Sequence, residues 1–143
     1  MSVPRNLIAS ERDIAFLLYE WLDVAALCAR PRFAEHSRET FDAILETAAS
    51  LATDAFAPHN KKSDANEPYI DNDAVIQIPE IKAALDQFIA LGFVAAGQDE
   101  TLGGMQLPKV VENAMMSWFM AANVATSAYA FLTIGNANLI CAH

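Results

Sequence analysis

Tyr129, Thr133 and Asn136 stand at i, i+4 and i+7, with Leu132 at i+3, in a stretch without formal charge between Glu112 and the final His143. On a helix this spacing puts a phenol, a hydroxyl and an amide on one face of an otherwise apolar surface. Buried polar groups need partners. Two arrangements supply them: bonds to neighbouring helices, or the wall of a ligand pocket, since pockets are mostly apolar with a few placed polar groups. The chemistry on offer is binding rather than proton transfer. The chain has no phosphate loop, dinucleotide fingerprint, nucleophile elbow or Cys–His pair at useful spacing. Glu39, Glu46 and Glu112 lie off the apolar stripes and read as a solvated face. His36 and His59 flank a helix and read as terminal polar residues, because a metal site needs several convergent ligands. Asp71, Asp73 and Glu80 fall short of a calcium loop: Val75 and Ile76 stand where such a loop needs an oxygen ligand and a glycine. No metal is expected. Cys28 and Cys141 lie in separate apolar segments and read as free buried thiols of a reducing compartment.

Helices must position these residues, and five can be read in order. The first spans 11–30, with Ile14, Leu17, Leu18, Trp21, Leu22 and Ala25 on one stripe. Ser10 is its N-cap, Asp13 completes a box-like arrangement, and Pro31 ends it. The second spans 37–57, with Phe41, Ile44, Leu45, Ala48, Leu51, Ala52, Ala55 and Phe56 inward, and Pro58 closes it. Positions 59–78 are dense in Asn, Asp and Pro and read as a long surface loop. Pro79 opens a third helix at its N1 position, with Ile81, Leu85, Phe88 and Ile89 buried and Gly92 as its stop. A loop over 98–106 uses the freedom of Gly103-Gly104.

Pro108 signals N1 of a fourth helix, whose stripe is Val111, Ala114, Met115, Trp118, Phe119 and Ala122. Lys109, Glu112, Asn113 and Met116 occupy its other side. A break over 123–126 puts Thr126 or Ser127 at the cap of the fifth helix. That helix is apolar nearly all round and reads as a buried central helix. It is long enough to cross a membrane, which takes about 20 apolar residues. Asn113, Asn123, Asn136 and Asn138 interrupt the run, however, and no aromatic or basic belt flanks it. The expected fold is therefore all-α: one domain, an up-and-down helical bundle of about five helices with a long loop between helices 2 and 3, and no strands.

Composition agrees with a packed domain. Hydrophobic residues make up 54% of the 143 and charged ones 19%, which excludes disorder and hints at a covering partner. A net charge of −9, with no basic cluster beyond Lys61-Lys62, argues against nucleic acid. The first residues lack a secretory pattern, which points to the cytoplasm.

The order of signals resembles a family. An L-G-F segment (91–93), an acidic loop with Gly103-Gly104, a helix, and an apolar helix containing I-G-N-A-N (134–138) resemble the N-terminal helical domain of FAD-dependent acyl-CoA dehydrogenases. The sequence R-D-I-A-F-L-L-Y-E-W-L-D (12–23) is similar to the opening helix of the long subgroup that contains 3-methylmercaptopropionyl-CoA dehydrogenases. A-P-H-N (57–60) with Asp64, and L-G-G-M-Q-L-P (102–108), resemble that subgroup's A-P-L-N and Y-G-G-x-G-L-P; His59 and Leu102 replace its Leu and Tyr.

The resemblance implies an extension helix over 1–36 and an N-terminal bundle over 37–143, with the middle β-domain and the C-terminal helical domain absent. It implies that the fourth and fifth helices wall an acyl-chain pocket, with Tyr129, Phe131, Leu132, Thr133 and Asn136 lining it by position. In a complete enzyme a carboxylate would take the α-proton while the β-hydride passes to the flavin. The catalytic glutamate belongs to the C-terminal domain, so no catalytic residue is expected in this chain. FAD is expected in the complete enzyme but not held stably by this portion, which should be inactive alone. Acyl-CoA, the missing domains and a second copy in a homo-oligomer are the implied partners, without nucleic acid or membrane. Loss of the covering domains should leave the fifth helix with exposed apolar surface. The alternatives are a free-standing helical interaction domain without catalysis and a membrane-anchored helical protein.

Overall fold

A computed structural model describes residues 8–143. The first residues, read above for a leader pattern, lie outside this range. The described residues form six α-helices and one small hairpin, with short π and 3-10 turns between them. The all-α reading holds, with local corrections in the first half of the chain.

Helix α1 (Glu11–Ala15) starts where its cap predicts, Ser10 Oγ accepting from the Asp13 amide at 3.2 Å. It then widens into a π-helical turn, Phe16–Trp21, and stops at Asp23, which is left-handed (φ 46°). A short 3-10 segment, Val24–Ala29, follows. The expected single helix over 11–30 is therefore broken. A π turn adds a residue to the helical period, so the apolar stripe slips out of phase. Leu18 and Val24 join the core, whereas Trp21 is 70% exposed.

Helix α2 (Arg38–Leu51) begins with a capping box: Ser37 Oγ accepts from the Thr40 amide, and Thr40 Oγ1 accepts from the Ser37 amide. Its buried face is Phe41, Leu45, Ala48, Ala49 and Leu51. Pro58 does not end the path. The chain runs through a π turn (Ala52–Phe56) and a 3-10 turn (Ala57–His59) into α3 (Asn60–Ala65). Pro58 sits at the start of that 3-10 turn, where its missing N–H costs little.

The expected structureless loop over 59–78 therefore begins with a helix, and it goes on to form a hairpin. Strands β1 (Tyr69–Asp71) and β2 (Ala74–Ile76) pair antiparallel, Tyr69 opposite Ile76 and Asp71 opposite Ala74. Asn72 and Asp73 both take positive φ (47° and 61°), the conformation of a two-residue hairpin turn that Asn and Asp tolerate. Lys62 donates to Glu80, tying α3 to the start of the next helix. That bond holds the Glu80 carboxyl below the ordinary carboxylate range.

Helix α4 (Pro79–Ala90) has proline in its first turn and buries Ile81, Ala84 and Phe88, while Ile89 turns outward. Gly92 (φ 74°) ends it as expected. The following loop folds on itself: Gln98 O accepts from Gln106 N, and Ala96 O from Leu107 N, both at 2.9 Å. Gly104 is required here by space, because a Cβ would lie 2.2 Å from Gln98 O and 2.7 Å from Ala95 O. Gly104→Ala should push these backbones apart and destabilise the domain by about 1–3 kcal/mol, measured by urea unfolding. Gly103→Ala meets no neighbouring atom, and its cost comes only from the left-handed φ of 78°.

Helix α5 (Lys109–Ala122) follows Pro108, which caps it rather than being its first residue. Val111, Met115, Trp118, Phe119 and Ala122 are buried as the stripe predicts. The centre of the core is aromatic. Phe119 meets Phe56 and Phe88 edge-on, each with centroids 4.9 Å apart, and Phe93 at 6.0 Å. Helix α6 (Val124–Ala142) runs on directly from α5 after a break at Asn123.

Candidate functional site

The break between α5 and α6 is built by buried polar groups. Asn123 is extended (φ −162°), and its Oδ1 accepts from the Thr126 amide at 3.0 Å. Asn123, not Thr126 or Ser127, is therefore the cap of α6. Its Nδ2 donates to Phe56 O at 3.2 Å, and Ser127 Oγ donates to Asn123 O at 2.8 Å. Thr126 faces inward to His59, whose Nε2 lies 2.9 Å from Thr126 Oγ1. His59 Nδ1 lies 2.9 Å from Ala55 O, which can only accept. Nδ1 therefore donates to Ala55 O, and in the neutral ring Nε2 accepts from the threonine. Far from being a terminal polar residue, His59 is 3% exposed and joins α6 to the turns that follow α2. His36 also has a structural partner, Met105 O at 2.8 Å.

Glu112 needs a second correction. It was read as solvated but is 4% exposed. Lys109 Nζ donates to it at 2.9 Å, and the carboxylate lies so close to Gly97 that a Cβ there would sit 2.4 Å from Oε2. Gly97 is the seat of that carboxylate. Met116, assigned to the same outer side, is buried too.

Helix α6 departs furthest from its expectation as a buried central helix. Only Thr126, Ser127, Ala130 and Ile134 are buried. Phe131, Leu132, Leu139 and Ile140 are exposed, Ile140 by 76%. The helix is long and apolar enough to cross a membrane by length and composition, and 22% of that stretch is buried. One side packs on the bundle; among the described residues nothing covers the other.

The five residues proposed as pocket lining divide between two open grooves and the bare face. Tyr129 and Thr133 line a groove of about 240 Å³ with Leu85, Phe88, Ile89, Val94 and Ala130. Phe131 lines another, of about 220 Å³, with Lys109, Glu112, Met116, Met120, Ile134, Gly135 and Asn138 among its walls. Leu132 and Asn136 line neither and are exposed. The hydroxyls of the polar face have partners of their own: Tyr129 OH donates to Gln77 Oε1 at 3.0 Å, and Thr133 Oγ1 donates to Tyr129 O at 2.8 Å. Because the tyrosine bond is exposed, Tyr129→Phe should change stability by no more than about 0.5 kcal/mol in thermal unfolding. The second groove lies between α5 and α6, the two helices expected to wall a pocket, but its α5 lining was not named from the sequence, although Met116 and Met120 share one face at i, i+4. That spacing was the available signal.

Both grooves are open and fall below the roughly 300 Å³ at which small-molecule sites begin, and their one cation, Lys109, is engaged by Glu112. Asp71, Asp73 and Glu80 do not converge, and no group of three or more metal-ligating side chains occurs among the described residues.

Comparison with known proteins supplies what the geometry does not. No protein-family model matches the chain. A broad-specificity linear acyl-CoA dehydrogenase of Mycobacterium tuberculosis is 31% identical over 121 residues, which cover 83% of this chain and 20% of that protein. A 3-methylmercaptopropionyl-CoA dehydrogenase of Ruegeria pomeroyi is 29% identical over 130 residues, covering 89% of this chain and 22% of that protein. The chain thus spans about a fifth of the length of these curated relatives.

Proposed function

We propose that this chain, a relative of the acyl-CoA dehydrogenases over most of its length, is the N-terminal helical portion of an FAD-dependent enzyme of that kind. The enzyme would carry out α,β-dehydrogenation of an acyl-CoA thioester in the cytoplasm, as a homo-oligomer. The sequence relationship carries the reading. The apolar outer face of α6 supports it, since Phe131, Leu132 and Ile140 are suited to burial against further protein. The first turns of α6 are anchored in the bundle through Asn123, Thr126 and Ser127, which favours a protein cover over a bilayer.

In this reading the chain supplies shape rather than proton transfer. The grooves beside α6 become enclosed when a second domain closes over them, and Tyr129, Phe131, Leu132, Thr133 and Asn136 then face the acyl chain. Their task is to bind it and keep water out. The flavin would act as hydride acceptor, seated mainly by residues beyond this chain.

The deciding experiment is the intact mass and visible spectrum of the product purified from its own gene. A yellow protein several-fold heavier than 15.5 kDa, bleached by an acyl-CoA, is the expected result. A colourless product of this mass that takes up no FAD would overturn the enzymatic reading and leave only the helical domain.

A further inference from the structure

The hairpin between α3 and α4 stands clear of the bundle. Ile70 is 77% and Val75 67% exposed, and among the described residues the two strands pair only with each other. A two-stranded hairpin is marginal in water by itself, so its two outer edges matter. Backbone bonding alternates along an antiparallel pair. With Asp71 and Ala74 bonded across the turn, Ile70 and Val75 form the non-bonded pair, whose N–H and C=O groups point away from the hairpin. The two edges then differ. The edge of β1 continues to Pro68, which has no N–H to offer, and β1 ends at the charged Asp71. Proline and charge are what blunt a natural edge. The edge of β2 has neither guard: Asp73, Val75 and Gln77 all keep an N–H, and positions 74–78 hold no charge and no proline. Gln77 is also oriented. Its Oε1 accepts from Tyr129 OH at 3.0 Å, which leaves its Nε2 to donate elsewhere. Asp73 takes part in none of the ion pairs among the described residues.

We propose that β2 pairs antiparallel with β2 of a second copy of this chain, across a two-fold axis at Val75. Reciprocal backbone bonds join Val75 to the second copy's Val75, and the hairpins become one sheet in the order β1-β2-β2-β1. The same axis sets Asp73 beside the second copy's Gln77, and Gln77 beside the second copy's Asp73. A carboxylate without a cation thus meets an amide donor at each end. An unrelated strand would satisfy Val75 but not these two ends, and this complementarity selects a second copy. The uncharged run over 74–78 also lets two chains of net charge −9 meet without like charges at the centre. The contact is small, in the weak class of interfaces below about 1,200 Å². It leaves the outer face of α6 free for its cover and does not rest on the enzymatic reading.

The test is disulfide trapping in a Cys28→Ala/Cys141→Ala background, which removes both native thiols. Across the axis the two Val75 Cα atoms would lie about 5.5 Å apart, within disulfide reach. The two Ile70 Cα atoms, separated by three strand spacings, would lie about 14 Å apart, beyond it. Under mild oxidation Val75→Cys should therefore form a covalent dimer at least about tenfold faster than Ile70→Cys, although Ile70 is the more exposed. Sedimentation equilibrium gives a second readout. The wild-type chain should be half dimeric near about 100 µM. Val75→Pro removes the outward N–H and none of the hairpin's own bonds, so it should weaken association at least about tenfold with an unchanged circular dichroism spectrum. Equal rates of crosslinking at 70 and 75 would overturn the inference, and so would a Val75→Pro chain that associates as the wild type does. Neither readout involves a flavin or an acyl-CoA, so a failure here is distinct from a failure of the enzymatic reading.

Discussion

Phe119→Ala is expected to destabilise the domain by about 3–5 kcal/mol, the range for removing a fully buried aromatic side chain. Phe119 has no exposed surface, and its ring is the one that Phe56, Phe88 and Phe93 all share. Those partners come from the π turn after α2, from α4 and from the turn after it, so the cavity would open where three parts of the chain meet. Rigid edge-to-face rings cannot collapse into the gap without losing their own contacts, which places the cost at the upper end. A domain of this size has roughly 5–15 kcal/mol in total, so the urea midpoint should fall sharply. Phe131→Ala is the matched control: the same atoms are removed from a half-exposed site on α6, with a change within about 0.5 kcal/mol. A loss below about 1 kcal/mol at Phe119 would contradict a specifically packed aromatic centre.

The second large effect is expected at Asn123. Asn123→Ala removes the cap of α6, worth about 0.5–2 kcal/mol. It also takes the buried donor from Phe56 O, worth about 1–3 kcal/mol more. The sum, roughly 1.5–5 kcal/mol, is large for a single amide. Asn123→Ser keeps an oxygen for the Thr126 amide and loses only the bond to Phe56 O, so it should recover about half. Hydrogen exchange separates a local from a global effect. Amides of α6 should lose protection before those of α2, because α6 is buried on one side only. Equal loss in both helices would mean that α6 docking and the core unfold as one unit.

Much of the helical framework was legible because its signals act over a few residues. Ser10 caps as expected, Pro79 opens α4, Gly92 closes it, and the stripe of α5 is buried as its spacing indicates. The hairpin was hidden because Asn72-Asp73 reads equally as loop or as a tight turn, and only the pairing of Tyr69 with Ile76 decides between them. The π turns were hidden because an extra residue in a helical turn changes no composition. It changes phase, and with it which way Leu18 and Trp21 face.

The sequence by itself determined the main helices α2, α4, α5 and α6, and that α6 would be apolar. Tertiary structure decided which polar residues lie inside. His59 and Thr126 are 67 residues apart, as are Phe56 and Asn123, and Glu112 rests on the backbone of Gly97. Periodicity and capping reflect neighbours within about one helical turn, which the chain carries in order. A lone histidine, asparagine or glutamate is buried only if a distant element brings its partner, and no local pattern encodes that meeting.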